Sequence, residues 1–124
     1  MQIVTSIGAR VLFSVPFFVF GVMHLAMGPM MVGMVPHFLP GAVYWVYFTG
    51  ICMVAAALAI VTKKQAVLAS QLLAVLLAVY IVFVHIPGLM IPAMKQMTLV
   101  MMLKDIGLIG GALAFAGIFE SENP

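Results

Sequence analysis

Charged side chains are scarce in this chain: five basic and three acidic residues in 124, or 6%, where a soluble domain carries about a quarter. A domain this small in water must cover its surface with polar groups, and so few charges exclude a soluble globular fold. A hydrophobic content of 66% and a mean hydropathy of +1.31 exclude a disordered chain as well. The few basic residues are dispersed, so no surface for nucleic acid exists. Cysteine occurs once, as Cys52. That excludes an internal disulfide, a CxxC redox pair and a cysteine-held iron–sulfur cluster, and Cys52 reads as a small buried hydrophobe. Asp105 is the one acidic residue inside an apolar run, so paired carboxylates are absent, as is any Ser/His/Asp arrangement on a nucleophile elbow. No HxxxH or HxxE spacing points to a metal site.

What the chain does have is four apolar runs of about twenty residues, without period-2 alternation, which fit membrane-spanning helices rather than a barrel. Turn signals separate them: Gly28-Pro29, Gly33, Pro36 and Pro40-Gly41; then Thr62-Lys63-Lys64-Gln65; then His85-Ile86-Pro87-Gly88 with Pro92. The expected helices cover about 3–25, 42–61, 65–84 and 96–119, with Pro16 kinking the first. The first run follows Arg10 as a signal peptide would, but no small-x-small cleavage site comes after it and it is long enough to span. The reading is a single domain, 1–124, that is all-α: an integral membrane four-helix bundle with the bilayer as its solvent and both termini on one side. Arg10, Lys63 and Lys64 flank that side and Lys95 the other, which places the termini in the cytoplasm and the chain in the cell's inner membrane. Tyr44, Trp45 and Tyr47 fall where an aromatic belt belongs.

Helices in lipid associate by close backbone approach. Ala66, Ser70, Ala74 and Ala78 form an i, i+4 stripe on the third helix. Gly107 and Gly111 form a GxxxG on the fourth, extended by Gly110, Ala114 and Gly117. These stripes are expected to face inward, although GxxxG serves a homo-oligomer equally well. The twelve methionines read as adaptable apolar filling, with a thioether-lined copper(I) site as the alternative.

Ionisable groups inside a span are costly and mark function or structure. Arg10, Lys104 and Asp105 qualify. An extended Arg10 is expected to pair with Asp105 across the bundle. Lys104 and Asp105, adjacent in sequence, point about 100° apart and are not expected to pair. His24, His37 and His85 fall toward the outer side. A pocket lined by His24, Tyr47, His85 and Asp105 would open outward and suit a quinone head group; the plainer alternative is interfacial histidines bonded to loop carbonyls.

The same residues carry a family resemblance. Arg10, Gly21-x-x-His24, Val35-Pro36-x-x-Leu39-Pro40 and Tyr47-x-Thr49-Gly50 follow one another as in the DoxX family of small bacterial membrane proteins. Val84-His85-Ile86-Pro87-Gly88 and Leu103-Lys104-Asp105-Ile106-Gly107 through Leu113 continue the likeness over nearly the whole chain. The resemblance implies a four-span bundle and an association with membrane redox chemistry: the family is named after a subunit of an archaeal thiosulfate:quinone oxidoreductase. Other members are linked to oxidative-stress enzymes, and animal relatives act as assembly chaperones for receptor channels. The chain departs from the family at Met53, where an acidic residue is common.

Two functions are therefore expected of this chain. In one it is a non-catalytic or quinone-linked subunit of a membrane redox system, with a soluble or membrane partner supplying electrons. In the other it is an assembly scaffold for a larger membrane complex, with no ligand of its own. A carrier is disfavoured, because no inverted repeat or broken-helix pair is visible.

Overall fold

A charge-free apolar run in lipid satisfies its backbone by intrahelical hydrogen bonds, because no water is there to do so. The computed structural model describes residues 4–35 and 38–122; Ile3, Pro36 and His37 lie outside them. A π-helical turn, Val4–Gly8, leads into α1, Ala9–Ala26. A 3-10 turn, Gly28–Met34, precedes α2, Ala42–Thr62. Then come α3, Ala66–Tyr80, a second π turn, Ile81–His85, the short α4, Ile86–Leu89, and α5, Lys95–Glu122. No strand occurs among the described residues. Four segments are long and apolar enough to cross a bilayer: Ser6–Ala26, Ala42–Thr62, Ala66–Leu89 and Lys95–Glu122. The chain is a multi-pass membrane protein, and its outward faces are apolar, as at Leu12, Leu72 and Val100.

The third span runs past its expected end at residue 84. Pro87 would strike the carbonyl of Phe83 in a straight α-helix. The wider π turn just before it relieves that clash, with the Ile86 amide reaching back to the Ile81 carbonyl, and Pro87 falls in the first turn of α4, where its missing N–H is harmless. The π turn also changes phase. Eight residues of α-helix would set His85 about 80° from Leu77, whereas one π turn retards the chain by roughly a residue and returns His85 to the buried ridge.

α1 packs chiefly on α2, and α3 chiefly on α5. The core joins Phe17, Ile60, Leu73, Leu77 and Phe119. α1 and α2 approach each other tightly at Gly21 and Gly50. A Cβ on Gly21 would sit 2.7 Å from the Gly50 carbonyl oxygen, and one on Gly50 would sit 2.7 Å from His24 Cβ. The small-residue stripes follow expectation only in part. Ala66, Ser70 and Ala74 are buried, but Ala78 is exposed. Strict i+4 steps drift 40° each, so the stripe leaves the core after two of them, while Leu73 and Leu77 hold the true face. On α5, Gly111 packs against the Phe13 ring, yet Gly107 has open space around it. The buried ridge there is Thr98, Asp105, Ala112, Ala116 and Phe119; Gly107 stands two residues, about 200°, beyond Asp105.

The link between α2 and α3 is tight: Lys63 and Gln65 both take left-handed backbone, at φ 61° and 55°. The amides of Lys63 and Lys64 turn back to the Ala59 carbonyl. Lys63 then meets Glu122 at 2.7 Å, and Ser6 and Arg10 line a cavity with both. The first and last described turns thus meet at one end of the bundle.

Candidate functional site

α5 buries Thr98, Asp105, Ala112 and Phe119 at intervals of seven, and that interval points Asp105 inward, about 15 Å from the Lys95 end. The π turn brings His85 to face it. His85 Nε2 lies 2.6 Å from Asp105 Oδ2, and both side chains are more than nine-tenths buried. A carboxylate only accepts, so Nε2 carries the proton and donates it. Lys104 reaches the other oxygen: its Nζ is 3.7 Å from Oδ1 and 4.8 Å from the centre of the Phe20 ring. The adjacent residues do make contact, against expectation, because the flexible four-carbon stem of lysine spans the 100° between their directions.

A second pair lies beside the first. His24 Nδ1 donates to the Phe20 carbonyl one turn back, at 2.6 Å. In the neutral ring this leaves Nε2 as an acceptor, and the Tyr80 hydroxyl sits 3.4 Å from it. The same hydroxyl points toward Met53 Sδ at 4.0 Å, and Thr49 borders it. The His24 and Tyr80 rings stack with centroids 6.4 Å apart. Side chains from α1, α2, α3, the second π turn and α5 therefore converge, through Tyr80, His24, Phe20 and Lys104, on Asp105 and His85.

Of the expected pocket residues, His85 and Asp105 touch each other, and His24 joins the neighbouring pair. Tyr47 goes elsewhere: its ring packs on Gly28 and leaves no room for a Cβ there. Nearby Trp45 donates to the Pro40 carbonyl at 3.0 Å. The Arg10–Asp105 ion pair does not form. Arg10 borders Phe115 and Glu122, roughly 20 Å along α5 from Asp105, beyond the reach of a side chain. Its Nε is buried without a hydrogen-bond partner.

Tyr80 is the residue that sequence reasoning passed over. A signal existed, for it stands three residues past Leu77 and seven past Leu73, on the buried ridge. Among the described residues no three of His, Cys, Asp and Glu converge as a metal-binding group. Two cavities lie at the other end of the bundle, about 340 Å³ bordered by Gln65 and Gln71 and about 80 Å³ bordered by Arg10. No protein-family model, curated protein or solved structure matches this chain.

Proposed function

We propose that this chain is a quinone-linked subunit of a redox system in the cell's inner membrane, with both ends in the cytoplasm. The observation that carries the reading is the buried His85–Asp105 pair inside a membrane span. Such a pair is costly to place in lipid and is kept where it serves a pathway or a ligand. A quinone head group presents two oxygens to hydrogen-bond donors, and the Lys104 ammonium beside the pair has N–H donors beyond the one turned to Asp105. The resemblance to the DoxX family supplies the redox association. Electrons come from a partner protein, because one cysteine holds no cluster. The cytoplasmic placement rests on the excess of Arg10, Lys63 and Lys64 over Lys95.

The enclosure of the pair favours a second reading. Side chains only 7% and 6% exposed suit a structural pair inside an assembly scaffold. Native mass spectrometry of the protein in mild detergent separates the two. The quinone reading expects a mass excess matching a quinone that is lost in Asp105→Asn and in His85→Gln. A ligand-free chain in stoichiometric complex with another membrane protein establishes the scaffold.

A further inference from the structure

The end of the bundle remote from the His85–Asp105 pair carries a polar constellation which that function leaves unused. Two cavities meet there, since Lys63 and Phe119 line both. The larger opens between the start of α3 and the end of α5, with Lys63, Gln65 and Gln71 as its polar lining and Leu68 among its apolar lining. The smaller reaches inward to Arg10. Arg10 Nε is buried there without a protein acceptor, and a buried guanidinium donor is costly unless a ligand or solvent accepts from it. Lys63 has an acceptor in Glu122, but that pair is well exposed, at 38% and 41% of the two side chains, and such pairs are readily exchanged. Leu68 leads from the mouth of the cleft onto an exposed apolar ridge, Leu68, Leu72 and Val75, which shares one face of α3.

We infer that this cleft binds the phosphate of an anionic phospholipid head group. Arg10 supplies the planar, two-pronged donor that suits a phosphate, and Lys63 turns from Glu122 to the same anion. The acyl chains lie along Leu68, Leu72 and Val75. The ligand thus has a phosphate and two long apolar tails, and the site offers a matching surface for each part. Among the described residues Glu122 is the carboxylate that borders the anion, so retention depends on both cations together. Basic sites between spans at a membrane surface bind anionic lipids on this principle.

The test is native mass spectrometry of the full chain with phosphatidylglycerol, with phosphatidylcholine of the same acyl chains, or with inorganic phosphate alone. Expected is one phosphatidylglycerol retained per chain, in about tenfold preference to phosphatidylcholine. Arg10→Gln and Lys63→Gln each remove most of that preference, Arg10→Lys restores part of it, and Lys95→Gln at the opposite end leaves it intact. Lys63 is exposed, so its variant folds whatever becomes of Arg10→Gln. Equal retention of the two lipids, or indifference to both Arg10→Gln and Lys63→Gln, overturns the inference. An Arg10-dependent adduct of inorganic phosphate without lipid retention overturns the lipid assignment.

Discussion

His85 Nε2 and Asp105 Oδ2 stand 2.6 Å apart, twenty residues distant in sequence and joined between two membrane spans. Removing one partner strands the other in a medium that cannot solvate it, at a cost of about 3–5 kcal/mol for a buried pair. His85→Leu and Asp105→Leu should each lower the unfolding temperature in detergent markedly. The double variant should lose less than the two single losses combined. Strictly additive losses would show that the pair contributes no coupling.

Arg10 and Asp105 should behave as independent sites. They lie about 20 Å apart along the bundle, and well-separated substitutions add within ~0.5 kcal/mol. The cycle of Arg10→Leu, Asp105→Leu and their double variant measures this. A coupling of several times that size would contradict the placement of Arg10 beside Glu122.

Gly50 and Gly107 should respond oppositely to alanine. At Gly50 the new methyl meets His24 Cβ at 2.7 Å and the Gly21 carbonyl oxygen at 2.9 Å, so α1 and α2 must part, at about 1–3 kcal/mol for overpacking. At Gly107 nothing lies within 4 Å, and the better helix former should stabilise by up to about 1 kcal/mol. Thermal unfolding of the two variants decides it, and a destabilised Gly107→Ala would mean that this face is covered.

The π turn should be the device that keeps His85 in phase with Leu77 across one extra residue. Deleting the exposed Val82 removes that residue, and a continuous α-helix then sets His85 seven positions past Leu77, about 20° from it. The coupling to Asp105 should survive the deletion, while the Pro87 clash that the π turn relieves returns at about 3 kcal/mol. Unfolding of the deletion variant with and without His85→Leu measures both, and a His85→Leu loss that vanishes in the deletion would contradict this phase.

The site was half legible in the residues themselves. An aspartate and a histidine inside apolar runs announce themselves, because lipid penalises both. Their pairing did not, since it depends on the phase that one π turn imposes between Leu77 and His85. Arg10 looked like the partner for Asp105 because it was the other unpaired charge on a span. The depth at which α1 and α5 pass each other decides against it, and a single sequence contains no such depth. The Gly21–Gly50 approach was hidden for the same reason: each glycine is unremarkable on its own helix, and only the crossing makes both necessary.

The sequence alone determined the class and the number of spans. Backbone polar groups in lipid admit few solutions, and apolar runs of this length interrupted by Gly, Pro and Lys admit four helices. Tertiary structure decided which faces meet. Without a hydrophobic force between helices in lipid, the choice falls to shape and to a few polar contacts. Gly21 against Gly50, Gly111 against Phe13 and His85 against Asp105 exist only once the helices are laid side by side.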